Sequence, residues 1–231
     1  MVKIGKRYKT AENIIDRGKE YAIEEAVGIL KEFPPAKFDE TVEVSCKLNV
    51  DPKKSDQIVR GSVVMPNGLG KDVRVLVFCK SEKEKEARDA GADFVGSGDL
   101  VEKIKSGWLD FDVVITTPDM MREVGKIGKI LGPRGLMPSP KNGTVTEQIS
   151  RVVKESKSGK LDFKMDRTGN INAGVGKVSF AKESLVENIR FFLDALAKTK
   201  PASAKGEFIK SVSVSTTMGP ALAISLREAA K

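Results

Sequence analysis

Apolar and polar residues alternate without a break over residues 41–50. Val42, Val44, Cys46, Leu48 and Val50 fall on one side, and Glu43, Ser45, Lys47 and Asn49 on the other. A period of two predicts a strand with one face in a core and one in water. Before it, residues 24–32 place Ala26, Ile29 and Leu30 on one helical face and stop at Phe33-Pro34-Pro35, as proline requires. Residues 58–65 predict a second strand, broken by Pro66-Asn67-Gly68-Leu69-Gly70.

Beyond Gly70 the pattern changes. Residues 73–78 form a continuous apolar run, the mark of a strand buried on both faces. Residues 81–90 read as a charged helix, 92–95 as a short apolar segment, 100–108 as amphipathic, and 111–116 as another strand. Residues 120–131 and 146–157 predict further helices. Strand and helix in alternation predict a small parallel-sheet domain of Rossmann-like layout, with Trp108 and Phe111 in its core.

From Gly159 the alternating style returns. Leu161, Phe163 and Met165 alternate with Asp162 and Lys164, and a turn follows at Asp166-Arg167-Thr168-Gly169. Residues 183–198 carry Leu185, Ile189, Phe192, Leu193 and Leu196 at helical spacing. Residues 208–215 and 221–226 predict strands around Thr216-Thr217-Met218-Gly219-Pro220. Half-exposed strands at both ends of the chain need sheet partners. The economical solution is an α/β protein of two domains: 1–67 joined with 160–231 in one α+β domain, and 68–159 inserted as the Rossmann-like one. Gly68, Gly70, Ser158 and Gly159 would then form a double-stranded hinge.

Composition narrows the function. The 231 residues contain no histidine, which excludes Ser-His-Asp and Cys-His nucleophile systems and every histidine-containing zinc site. Cys46 and Cys79 alone make neither a disulfide framework nor a metal knuckle. No apolar run approaches the roughly 20 residues of a membrane span. The basic N-terminus lacks the apolar segment of a signal peptide, so the expected location is the cytoplasm. Forty Lys and Arg against 32 Asp and Glu leave a net charge of +8, which favours polyanionic partners. Residues 1–67 hold +1 of this, 68–159 hold +2 and 160–231 hold +5.

Motifs for small-molecule chemistry fall short. Pro66-Asn67-Gly68-Leu69-Gly70-Lys71-Asp72 lacks the phosphate-loop spacing and precedes a strand. No G-x-G-x-x-G follows the first inserted strand, and Gly96-Ser97-Gly98 is too short. No cofactor and no catalytic or metal-binding set is therefore expected. The run from Gly125 to Pro138 gathers Lys126, Lys129 and Arg134, with Lys141 beyond, around glycines and prolines. Such a loop suits phosphate contact, or equally a rigid helix stop whose cations answer the helix dipole. Ser215-Thr216-Thr217-Met218-Gly219-Pro220 offers hydroxyls and open backbone to phosphate, ribose or base edges, or is an ordinary turn. Phe38, beside Lys37, could stack on an unpaired base or fill a core.

Four blocks taken together resemble the ribosomal protein L-one family. They are Lys37-Phe38-Asp39-Glu40-Thr41-Val42-Glu43-Val44, Ser55-Asp56-Gln57-Ile58-Val59-Arg60-Gly61, Leu131-Gly132-Pro133-Arg134-Gly135-Leu136-Met137-Pro138 and Ser215-Thr216-Thr217-Met218-Gly219-Pro220. The resemblance covers essentially the whole chain and has a bacterial character. It implies a non-catalytic protein of the large ribosomal subunit, monomeric when free, whose discontinuous domain binds a helical junction of large-subunit ribosomal RNA. It also implies help in releasing deacylated tRNA from the exit site, and repression of its own operon through a similar fold in the messenger. Carried over by motif, the RNA contacts are Phe38, Thr41, Asp166, Arg167, Thr168, Thr217, Met218 and Gly219. Lys37, Lys126, Lys129, Arg134 and Lys141 are secondary contacts. Asn170-Ile171-Asn172 departs from the pattern, where many relatives carry a histidine. The rivals from other classes are an enzyme closing on a phosphorylated molecule at the hinge, and a protein-interaction module.

Overall fold

A computed structural model describes residues 5–204 and 206–225. The first stretch of chain supplies α1 (Lys6–Glu12), α2 (Ile23–Glu32), β1 (Thr41–Leu48) and β2 (Arg60–Val64). The middle supplies β3 (Val75–Phe78), α3 (Ser81–Asp89), β4 (Phe94–Gly96), α4 (Gly98–Lys105), β5 (Val113–Thr116), α5 (Met121–Gly125), α6 (Gly128–Leu131) and α7 (Ile149–Lys157). The last supplies β6 (Lys160–Lys164), β7 (Asn170–Lys177), α8 (Lys182–Lys198), β8 (Ile209–Thr216) and β9 (Leu222–Ile224). The chain separates into two compact units, Met1–Gly70 with Leu161–Lys231, and Lys71–Lys160.

The composite unit is built on a four-stranded sheet of order β7-β1-β8-β9. β1 runs antiparallel to both neighbours, with Val44 opposite Ala173 on one side and Val214 on the other. The apolar positions of β1 (Val42, Val44, Cys46, Leu48) are all buried. They join Ala26, Val27 and Leu30 of α2 and Leu185, Ile189, Phe192 and Leu193 of α8 in one core. β2 and β6 pair as a small second sheet, and Phe163 of β6 meets Phe192 edge-on at 5.6 Å. Helices thus cover one face of the main sheet. Its other face carries the polar half of the alternation.

Two elements of this unit are absent from the sequence-based reading. β7 alternates Ile171, Ala173 and Val175 inward, but Asn170, Asn172, Gly174 and Gly176 dilute the signal. The glycine at 176 is demanded by packing: a Cβ there would sit 2.9 Å from Leu185 Cδ2. α1 buries only Ala11, so it shows no amphipathic stripe.

In the inserted unit a parallel sheet has the order β4-β3-β5. β3 is central and wholly buried. Leu76 and Phe78 pack on one side with Leu100, Ile104, Phe111 and Val124. Val75 and Val77 pack on the other with Ala87, Ile149 and Val153. Two covered faces explain why residues 73–78 do not alternate. Trp108 is half-buried, edge-on to Phe94 at 4.7 Å and tilted to Phe111 at 5.4 Å. The helix expected over 120–131 is broken into α5 and α6, with Ile127 between them at φ −104°, ψ 8°. Gly125 and Gly128 flank the break, and glycine is a poor helix former.

The segment before Lys71 is fastened to its own unit. The buried Asn188 side chain donates to Gly68 O (3.0 Å) and Val175 O (2.7 Å), and accepts from Asn67 N (3.2 Å). Gly68 and Gly70 have φ of 66° and 64°. A Cβ on Gly70 would meet Lys177 Cγ and Phe180 at 2.8 Å. On the return crossing, Ser158 caps α7 and Gly159 has φ 102°.

Candidate functional site

The first strand begins where two other segments end. Thr41 lies opposite Lys177, the last residue of β7, and Val42 opposite Thr216, the last of β8. Thr217 N–H donates to Thr41 O (3.1 Å), and Thr41 N–H donates to Thr217 Oγ1 (3.0 Å). Lys177 Nζ donates to Thr41 Oγ1 (2.9 Å). This knot brings residues 37–41 and 215–219 together. On either side of it stand Phe38 and Met218, 54% and 55% exposed, the most open large apolar side chains among the described residues. That exposure removes the core reading of Phe38. Lys37 and Thr217 are exposed beside them.

A half-buried ion pair holds the 216–219 turn from behind. Glu40, 7% exposed, accepts from Met218 N–H (2.9 Å) and from Arg7 Nη1 (2.7 Å). Arg7 Nη2 donates to Met218 O (3.1 Å), and Nη1 also reaches Pro34 O (3.4 Å). Burial pushes the Glu40 carboxyl up, but the Met218 N–H, Arg7 and the Thr216 hydroxyl outweigh it and hold its pKa below the ordinary value. Gly219 is obligatory: a Cβ would lie 2.4 Å from Thr216 Oγ1 and 3.1 Å from Phe33. Arg7 and Glu40 are not among the sequence-derived candidates. One basic residue among several near the N-terminus carries no local signal of a partner 211 positions away.

Asp166, Arg167 and Thr168 are not brought to this end. Lys47, near the far end of β1, pairs with Asn170, so the Asp166–Gly169 turn lies roughly 20 Å from Thr41 at about 3.4 Å per strand residue. Asp166 Oδ1 accepts from Asn170 N–H, Thr168 N–H and Thr168 Oγ1, each at 2.8 Å. The Asn170 N–H and Thr168 hydroxyl lead in lowering the Asp166 pKa to about 2. Lys47 Nζ donates to Thr168 O. The carboxylate and the Thr168 hydroxyl are therefore spent on the turn, and the exposed Arg167 is the group it presents.

Between the two ends runs the polar face of the sheet. Ser45 lies between Asn172 and Ser213, Glu43 between Gly174 and Ser215, and Lys47 between Asn170 and Ser211. This grid of short polar side chains joins the two candidate patches into one surface. Its signal was present in the sequence as the outward half of the alternation in β1 and β8.

The remaining candidates lie in the inserted unit. Lys126 is paired with Glu123 at 2.7 Å, whereas Lys129 and Arg134 are exposed. The Lys141 side chain lies outside the described residues. The loop after α6 is tied by Leu136 N–H to Leu131 O (3.0 Å) and Gly135 N–H to Gly132 O (3.1 Å), with Gly135 at φ 73°. The loop is a rigid helix stop, and it displays the Lys129 and Arg134 cations to solvent. Burial pushes the Cys46 thiol to about 12. Burial, with Glu84 and Glu86, pushes Cys79 to about 11, so neither is a thiolate at neutral pH.

The Ribosomal protein L1p/L10e family model matches residues 30–220. The chain belongs to this family. It is similar to the large ribosomal subunit protein uL1 of Protochlamydia amoebophila, 59% identical over 96% of this chain and 94% of that one. The protein of the same name from Chlamydia caviae is 57% identical over 99% of this chain and 98% of its own length. That of Chlamydia pneumoniae is 56% identical over the same shares. Family membership makes the chain a ribosomal protein and not an enzyme, with the mixed α/β fold expected of it.

Proposed function

We propose that this family member is a constituent of the large subunit of the cytoplasmic ribosome, binding large-subunit rRNA through the sheet end around Thr41 and Thr217. The observation that carries the reading is the exposure of Phe38 and Met218 on a backbone fixed by hydrogen bonds. Large apolar side chains are costly to leave in water, and an unpaired base or ribose is a partner that would cover them. The composite unit also holds six of the eight net positive charges. Thr41, Thr217 and Gly219 supply hydroxyl and backbone contacts there, Arg167 with its Asp166–Thr168 turn a second contact, and the serine and asparagine face links them. Lys37, Lys129 and Arg134 add phosphate contacts, with Lys126 and Lys141.

The finer roles follow from the same surface. As part of the stalk beside the exit site, the protein assists release of deacylated tRNA. A messenger segment that copies the rRNA fold competes for the same residues, so that free monomeric protein represses its own operon. Met218→Asp tests the site: a carboxylate would face phosphate and lose apolar contact. Titration of the wild type and the variant with an rRNA junction fragment should show a loss of about 5- to 150-fold, equivalent to about 1–3 kcal/mol, with an unchanged thermal midpoint. A fall in the midpoint, or equal affinity, would contradict the assignment. The operon messenger should lose affinity in parallel.

A further inference from the structure

We propose that Arg7 is a positioning residue for RNA binding: it locks the 216–219 turn from behind, through Glu40, and does not itself contact RNA. The inference rests on the RNA-binding reading of this end of the sheet. A single guanidinium spans three segments here, meeting Pro34 O at the end of α2, Glu40 Oε1 before β1 and Met218 O in the turn. Glu40 answers from the same side by accepting the Met218 N–H. Met218 therefore has its N–H and its C=O fixed by one ion pair while its side chain stays in water. The pair is mostly withdrawn from solvent, its side chains 30% and 9% exposed, so each partner depends on the other for compensation of its charge.

The consequence is preorganisation. A turn already held in its binding shape loses less freedom on association. The N-terminal helix α1, whose own burial is slight, contributes to function through this one side chain. Without Arg7 the Glu40 carboxylate would keep the Met218 N–H but lose the one cationic partner it has among the described residues, and would be drawn toward water and carry the turn with it.

The experiment uses the full chain, an rRNA junction fragment and a salt series. Arg7→Ala should weaken binding roughly tenfold, with the slope of log affinity against log salt unchanged. Amide exchange at Met218 should accelerate in the same variant without RNA. Adding Glu40→Gln to Arg7→Ala should restore most of the affinity, because a neutral amide oxygen can accept the Met218 N–H without a counter-charge. In a Met218→Ala background, Arg7→Ala should have a smaller effect than in the wild type. A slope lowered by about one would make Arg7 a phosphate contact and overturn the proposal, as would unchanged affinity or no rescue by Glu40→Gln. Failure of the wild type to bind would instead overturn the RNA reading. The exchange rate at Met218 would still report whether Arg7 orders the turn.

Discussion

At the scale of single residues, the candidate site divides side chains that face solvent from side chains that hold them. Phe38 faces outward, so Phe38→Ala should lower rRNA affinity by about 1–3 kcal/mol while leaving the thermal midpoint in place; a titration paired with a melting curve checks both. Gly219→Ala should lower the midpoint and, because Gly219 lies in the proposed contact turn, the affinity as well. Its Cβ would fall 2.4 Å from Thr216 Oγ1, and relief of such overpacking costs typically about 1–3 kcal/mol, seen as a lower midpoint. The facing residues were legible in the sequence because they sit in short blocks with unusual composition. Arg7 and Glu40 were not, since their meaning comes from a contact between distant segments. Asp166 was legible as a site residue, though its atoms are occupied in folding the turn. Its carboxyl is depressed to about 2, so the turn's added stability is full above the ordinary carboxylate value near 3.8 and is lost as pH falls toward 2. The protection of the Thr168 and Asn170 amides, exchange rates taken relative to the intrinsic rate at each pH, should be full at neutral pH and fall between about pH 4 and pH 2.

At the scale of elements, alternation told which strands have one wet face. β1 obeys it at every position because α2 and α8 cover one side, while the other side is only partly buried among the described residues. β7 was missed because close packing against Leu185, Phe180 and Thr41 demands small residues, and small residues carry little hydropathy. The expected single helix over 120–131 fails for a local reason, two glycines around a buried Ile127. The crossing at Gly68–Gly70 also looks different once its bonds are known. Asn188 and the contacts around Gly70 fix it to the composite unit. Gly70→Pro would force a φ near −65° where the chain has +64°. We expect it to destabilise the composite unit by more than about 1 kcal/mol, measured by denaturant unfolding, and not to act as a selective brake on domain motion.

At the scale of the molecule, two units with separate cores divide the charge unequally. The chain 68–159 carries a net +2, and the two outer segments together +6. This split, and the clustering of Phe38, Met218, Thr217 and the polar sheet face in one unit, support the proposal that the composite unit binds RNA, with the inserted unit in a supporting role. An enzyme or a protein adaptor would have no reason to bind structured RNA with a steep salt dependence. The most direct test is therefore a salt series of rRNA-junction binding by the polypeptide 1–70 joined to 161–231 through a short linker, beside the polypeptide 71–160 and the full chain. The composite polypeptide should retain most of the full chain's affinity and salt slope, and 71–160 should bind weakly. Strong binding by 71–160 with little or none by a folded composite polypeptide would contradict the account.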